Sequence, residues 1–426
     1  MRQVKFEGGN CDVKIWDDFV KIEEGSIEQF ADVSRLPFVN SVCAMPDSHL
    51  GVGASIGSVV VTDGAICPAL VGVDVGCGMR AVKTCYKVED FTDEDLEFLY
   101  AELLATIPVG RTNYGRENDK GAWQSIDAQP YWISEIWNSY LNVKYEEVLD
   151  DVDNLGFAKK VNDICHLGTL GTGNHFIEIC QDTKGFIWVL IHSGSRGVGN
   201  TIASFYIEYA KKMAKKWMIK LPTWDLAYLP KDTKEFDAYM KFMRWANSFA
   251  YFNRAVMSTL VGECILNTVL QSKISREINY HDKAMNLELD DFSSVDCVHN
   301  FIEIFRYNGK NRFVTRKGAI RVTDKVLGII PSAMGGVTYI VNGTNNYDSV
   351  YSASHGAGRA MSRTKARKNI SFDKHLEDVK DVICRKDEGV LDETPSAYKN
   401  FDDVIKSEKD LINIKETLKA LICVKG

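Results

Sequence analysis

The 426-residue sequence contains no Cys-x-x-Cys pair, although it holds eleven cysteines. An odd count without that spacing argues against a disulfide framework. The Met1-Arg-Gln-Val start carries no apolar signal-like segment, so a reducing cytoplasm is the expected compartment. A run of about 18 apolar residues is also missing, which argues against a membrane-spanning helix. Positive charge is outnumbered: 51 Lys and Arg against 58 Asp and Glu leave a net charge of −7, not the coat expected for non-specific nucleic-acid binding. A Walker loop is absent, because no glycine leads into Lys-Ser or Lys-Thr in that frame, and Gly51-Val-Gly53-Ala-Ser-Ile-Gly57 has one residue too many for the dinucleotide fingerprint. Internal repeats and low-complexity segments are absent too. A nucleotide, if one binds, must be held by another route.

What is present reads as an α+β chain. Ser55 to Thr62, Leu70 to Val75, Met79 to Tyr86 and Gly185 to His192 are short, apolar or β-branched, and bounded by Gly or Asp, as strands are. Asp93 to Thr106 repeats its leucines at helical spacing. A helical excursion over about 201–270 is predicted, joined by a loop from Leu221 to Asp232, before strands return at Ser294 to Arg306 and Asn311 to Val322. Asn400 to Val424 reads as a final helix with Asn400 as its N-cap. Convergence of distant ligands on one centre would make residues 1–426 a single mixed-sheet domain with peripheral helices.

Five of the eight histidines lie in segments crowded with Gly, Asn, Ser or Asp: His49, His175, His192, His299 and His355. Gly72-Val-Asp74-Val-Gly76-Cys77-Gly78 adds a carboxylate and a thiol among three glycines. Imidazole, thiolate and carboxylate are transition-metal ligands. A buried structural Cys and a turn Asp are the bland alternative, but flanking glycines remove the neighbours that a packed core would use. His192 ends an apolar strand, where loops converge. Taken alone, His299 fits a core histidine, and His49 fits either a supporting residue or a substrate contact. His355 keeps different company. Ser354-His-Gly-Ala-Gly-Arg359 surrounds an imidazole with exposed backbone N–H groups and a guanidinium, a setting suited to phosphates. A histidine there can attack phosphorus and hold it as a phosphoramidate. By base rate the basic run from Arg363 to Lys368 is a solvated helix face.

Together these segments resemble the RtcB family of RNA-splicing ligases over nearly the full length. The matching signatures are MPDSHLG (45–51), GVDVGCGM (72–79), LGTLGTGNHFIEI (167–179), HSGSRGVGN (192–200), FNR (252–254), HN (299–300), TRKGAI (315–320), IPSAMG (330–335), SHGAGRAMSRTKA (354–366), CRKDEGVLDETPSAYK (384–399) and VKG (424–426). The chain departs from the usual pattern at Ser332-Ala333, at Thr338, at Ser48 and at Val298, leaving the candidate ligands and nucleophile in place.

The resemblance implies a GTP- and manganese-dependent ligase joining RNA with a 2',3'-cyclic phosphate or 3'-phosphate end to RNA with a 5'-hydroxyl, in splicing of tRNA halves or repair of other broken RNA. It implies that Cys77 bridges two manganese ions, one held also by Asp74 and His175, the other by His192 and His299. His355 would take GMP from GTP. Asn174, His175, Phe176, Ile177, Glu178, His299, Asn300, Pro331, Ser332, Ala333, Met334, Thr338, His355, Gly356, Ala357, Gly358, Tyr398 and Lys425 would form the guanylate pocket. No protein partner follows from it. Two rival readings are a GTP-independent phosphoesterase, which gives the His355 loop and Lys425 no purpose, and a non-enzymatic RNA-binding subunit, which leaves the ligand set unused.

Overall fold

The computed structural model describes residues 1–110, 121–157, 163–275 and 294–426. Strands β1 (Arg2–Val4), β2 (Val13–Ile15), β3 (Val39–His49) and β4 (Ile56–Thr62) begin a first sheet, and the short β5 (Ala65–Ile66) precedes β6 (Gly78–Lys87). Then come β7 (Phe176–Gln181), β8 (Phe186–Ser193), β9 (Leu229–Pro230), β10 (Ser294–Val298), β11 (Asn300–Tyr307) and β12 (Lys310–Lys317). The chain continues through β13 (Ala319–Arg321), β14 (Leu327–Pro331), β15 (Val337–Gly343), β16 (Ser352–Ser354), β17 (Ile383–Cys384) and β18 (Ile412–Lys425). The first sheet runs β1-β2-β3-β4-β12-β11 and the second β10-β6-β8-β7-β18-β15-β14, with β17 beside β18. Helices flank them: α1 (Glu24–Ser34), α2 (Asp93–Thr106), α3 (Tyr131–Ile136), α4 (Asn142–Asn154), α5 (Arg196–Lys216), α6 (Lys234–Ser275), α7 (Arg363–Asn369), α8 (Phe372–Asp378) and α9 (Phe401–Ser407). This is the α+β, mixed-sheet class expected from the sequence.

Helix α2 coincides with its predicted span because local signals agree. Thr92 Oγ1 accepts from Asp95 N, the Asp95 carboxylate accepts from Thr92 N, and Leu96, Leu99 and Leu103 share the buried face. The helical excursion is α5 and α6, and its apolar positions make it core. Tyr239, Phe242, Trp245, Ala246, Phe249, Met257 and Leu260 are all buried in one core shared with α4, α5 and the second sheet. Each large apolar side chain so buried contributes about 1.5–3 kcal/mol.

Two predicted elements are different. Leu70 to Val75 is no strand: a short 3-10 turn over Pro68–Leu70 runs into Gly72 and Gly76, whose φ values of 87° and 74° are incompatible with extension. The final helix stops after Ser407, and Ile412–Lys425 is a strand. Asn400 does cap α9, accepting from Asp403 N at 3.2 Å, but two turns later the chain fills the place between β7 and β15. Sheet pairing overrides a helical pattern that its Ile, Thr and Val content never favoured.

Candidate active site

The ends of β6, β7, β8 and β10 meet at a cluster of ligand-type atoms. Cys77, His192 and His299 offer donor atoms within 4.8 Å of one another, as do Asp74, Cys77 and His175, so Cys77 belongs to both groups. His175 Nδ1 lies 3.0 Å from Leu170 O, and its Nε2 is 2.9 Å from Asp74 Oδ2 and 3.5 Å from Cys77 Sγ. His192 Nε2 lies 3.3 Å from Cys77 Sγ and 3.0 Å from His299 Nε2. Burial holds both His192 and His299 well below the usual imidazole range, with His299 adding to the shift of His192 and His355 to that of His299. Burial and the adjacent Asp74 push the Cys77 thiol well up. Burial alone would raise Asp74, but His175 outweighs it and brings the carboxyl to about 2. Lone pairs, a carboxylate and a thiol so pressed together fit cations, each of which would replace mutual repulsion with shared attraction. Backbone shape agrees: a Cβ on Gly194 would stand 2.2 Å from Asp74 Oδ1, so only glycine leaves that carboxylate room.

Helix α6 holds this cluster from behind. Arg254 is fully buried, pairs with Asp296 at 2.7 Å and donates Nη1 to Gly76 O and Ser193 O, both at 3.0 Å. Asn253 Oδ1 accepts from Gly168 N and Thr169 N, and its Nδ2 donates to Thr169 O and Ser193 Oγ. Gly76 permits the approach, since a Cβ there would meet Ala246 O at 3.0 Å. Arg254→Ala would leave the buried Gly76 O and Ser193 O without their donor, while the half-buried Asp296 would keep Arg80 at 3.8 Å, a loss of about 1–3 kcal/mol. A matching fall in the urea midpoint is expected, together with lower metal content; an unchanged midpoint would show that the ligand turns stand without Arg254.

A pocket of about 300 Å³ opens beside the cluster, lined among others by Asn174, Phe176, Glu178, Met334, Tyr398 and Lys425. His355 also lines it, and its ring centroid is 4.7 Å from that of His299. His355 Nδ1 is 2.6 Å from Asp47 Oδ2, which also accepts from His355 N at 3.1 Å. Asp47 thereby fixes the tautomer, leaving the Nε2 lone pair available. At the pocket floor Lys425 Nζ pairs with Glu393 Oε2 at 2.9 Å and sits 5.1 Å from the Phe176 ring centre. Burial opposes the Lys425 charge, and Glu393 and Tyr398 overcome it, so the ammonium is held more firmly than usual. Burial pushes Glu178 up to about 7 against the pull of Lys425. Arg359 and Arg363 lie at the rim on Glu393, and Arg363 also pairs with Asp392 at 2.7 Å.

Against this geometry stands the comparison with known proteins. The family model described as tRNA-splicing ligase RtcB matches residues 29–426. The chain belongs to the RtcB family of RNA-splicing ligases. "RNA-splicing ligase RtcB" of Escherichia coli (strain K12) is 40% identical over 422 residues, covering 98% of this chain and 98% of its own length. "tRNA-splicing ligase RtcB" of Methanococcus maripaludis is 30% identical, over 91% of this chain and 88% of its own. The same name is carried by a relative in Archaeoglobus fulgidus, 30% identical over 90% of this chain and 87% of its own.

The five residues that the RtcB resemblance named as metal ligands stand together, and most of its pocket residues line one cavity: Asn174, Phe176, Glu178, Pro331 to Met334, His355 to Gly358, Tyr398 and Lys425. Others do not line it. Ile177 points to the opposite side of β7, into the core, because strand neighbours alternate faces. Thr338 is buried on β15, paired with Pro331. Asn300 works behind the cluster, donating to Asp74 O at 3.0 Å and accepting from Gly318 N at 2.9 Å. His175 and His299 belong to the ligand cluster rather than the cavity wall. His49 does line the cavity, with Nδ1 donating to Asp47 O at 2.9 Å, and burial lowers it to about 4. The basic run from Arg363 is the helix α7, a largely solvated face as expected, from which Arg363 and Arg367 also reach Asp392. Sequence reading overlooked Asp47 and Arg254, although both lie inside quoted motifs; a carboxylate two residues before His49 was the available signal.

Proposed function

We propose that this RNA ligase uses GTP and two manganese ions to join a 2',3'-cyclic phosphate or 3'-phosphate RNA end to a 5'-hydroxyl end, in the cytoplasm, on tRNA halves or other broken RNA. The observation that carries the reading is His355, held by Asp47 with its Nε2 free, in one pocket with Lys425 and beside a five-residue ligand cluster. Asp74, Cys77 and His175 would hold one ion, and Cys77, His192 and His299 the other. When bound, the pair would neutralise phosphate charge and polarise the attacked phosphorus. Manganese rather than zinc is taken from the family, since a thiolate alone would suit zinc.

His355 Nε2 attacks the α-phosphorus of GTP, the phosphorus–oxygen bond to pyrophosphate breaks, and Asp47 balances the positive charge that grows on the imidazole. A 2',3'-cyclic end is first opened by water to a 3'-phosphate with a free 2'-hydroxyl; the RNA 3'-phosphate then takes GMP from His355, freeing the ring. The second RNA's 5'-hydroxyl attacks that activated phosphate and GMP leaves. Arg359 and the backbone N–H groups of Gly356 and Gly358 would receive phosphate oxygens, Ala357 N being taken by Pro331 O at 3.1 Å. Because one pocket draws on residues from His49 to Lys425, the whole chain would act as one unit.

Incubation with radiolabelled GTP and manganese is expected to leave covalent GMP on the protein; a phosphoesterase or a non-enzymatic RNA-binding subunit would gain none. Lys425 should read the base. Replacing it by Ala removes a charge-assisted contact of about 1.5–3 kcal/mol, so kcat/KM for GTP should fall roughly 10- to 100-fold and the preference over ATP should blur. Metal content should not change. An unaltered nucleotide preference would return Lys425 to a purely structural partner of Glu393.

A further inference from the structure

Asp47 orients His355 from a stretch of β3 that no neighbouring strand holds. The ladder between β3 and β4 joins Ala44 to Ser58 and His49 to Ile56, so Met45 to Ser48 bulge out opposite Gly57 alone. On the other side β2 pairs with β3 only as far as Ala44, and Pro46 brings no N–H of its own. Gly57 makes room for the bulge: at its φ of 82° a Cβ would stand 2.8 Å from Ser48 Cα and 3.0 Å from Asp47 Oδ1. The carbonyls on either side of Asp47, those of Pro46 and Ser48, both accept from Lys399 Nζ, at 3.0 Å and 2.6 Å. The backbone of Lys399 belongs to the opposite partner. Arg359 and Tyr398 form an antiparallel bridge, Lys399 N donates to Gly358 O at 3.0 Å, and Ala360 N donates to Ala397 O at 2.9 Å. At its other end the His355 loop is held by the buried Glu408, whose side chain accepts from Ser354 N at 2.9 Å. Loop and bulge touch directly, since a Cβ on Gly358 would stand 2.1 Å from Asp47 O.

We propose that Lys399 is a positioning residue for His355, tying the loop that carries the nucleophile to the bulge that carries its carboxylate. The proposal rests on the ligase reading, in which His355 must meet the α-phosphorus of GTP. Asp47 is fully buried and takes both His355 N and Nδ1 on one oxygen, so the imidazole follows any shift of the bulge. Lys399 controls that shift. Its root is fixed to Gly358, and its ammonium, a donor of three hydrogen bonds, spends two of them on the carbonyls that flank Asp47. One side chain thereby sets the spacing between bulge and loop, and with it the direction of His355 Nε2. Lys399 itself does not line the pocket, so its effect on the reaction passes through Asp47.

Lys399→Met keeps the apolar stem and removes the ammonium. At saturating GTP the rate of protein–GMP formation should fall roughly 100-fold, the loss that a misplacement of about 1 Å at a reacting centre can cause. Half-saturation by GTP should move little, because Glu178 and Lys425 are untouched. Manganese content should be retained, and so should the sealing of RNA whose 3'-phosphate already carries GMP, two readouts that a damaged fold would lose. Lys399→Gln, whose amide can still donate to one of the two carbonyls, should keep more of the rate and serves as a second arm if Lys399→Met does not fold. Adduct formation at the native rate in a folded variant would overturn the role of Lys399, and so would loss of manganese and of sealing along with the adduct, or failure of both variants to fold. The ligase reading stands through each of those results and falls only if the native chain forms no adduct.

Discussion

Cys77→Ala is expected to lose bound manganese and, with it, every step of RNA joining. The thiol sulfur is the one donor shared by both ligand groups, within 3.5 Å of His175 Nε2 and 3.3 Å of His192 Nε2. Removing an outer partner of a metal ligand typically costs about 10- to 100-fold in affinity, and a shared inner ligand should cost more. Folding should survive, since the side chain is small and its turn is held by Arg254 through Gly76 O. Elemental analysis and ligation of 3'-phosphate RNA read the two consequences separately. Full ligation with unchanged metal content would end the shared-ligand assignment.

His355→Ala should fail differently. The side chain is assigned to phosphorus and not to the cations, so the variant should keep its manganese while forming no protein–GMP adduct and leaving 3'-phosphate RNA unjoined. Loss of a covalent nucleophile commonly costs several orders of magnitude, as much as about 10⁶-fold in the best-studied triad. Offered RNA whose 3'-phosphate already carries GMP through a pyrophosphate linkage, the variant should seal it to a 5'-hydroxyl strand, because that attack no longer needs the imidazole. Cys77→Ala should fail with both substrates. Joining of unactivated RNA by His355→Ala, or refusal of the activated RNA at full manganese occupancy, would show that the two histidine-bearing centres do not divide the work this way.

The ligand cluster was legible because its chemistry is local: His, Cys and Asp among glycines announce a constrained turn wherever it folds. Helix α2 was legible because its cap and its leucines say the same thing. What could not be read was partnership across the chain. Asp47 and His355 are 308 positions apart, Arg254 and Asp296 belong to different elements, and nothing in either neighbourhood names the other. Glu408 lies in a stretch read as mid-helix, where an exposed carboxylate is ordinary; only the sheet that follows it turns it inward. Ile177, which the family motif carries along with its neighbours, has its side chain on the core face of the strand, so only its backbone is turned to the same place as theirs. Lys425 needed the resemblance, for a lysine near a chain end carries no local mark of burial.

The place of β18 has a consequence for biogenesis. It is the fifth strand of its sheet, between β7 and β15, yet it is the latest of these strands to be made. Until it arrives β7 and β15 present open edges that invite pairing with other chains, and the lysine on the pocket floor is missing. Such long-range pairing is slow and leaves a nascent chain exposed. Translation stalled short of residue 412 would therefore release a species with two unpaired strand edges, prone to aggregate.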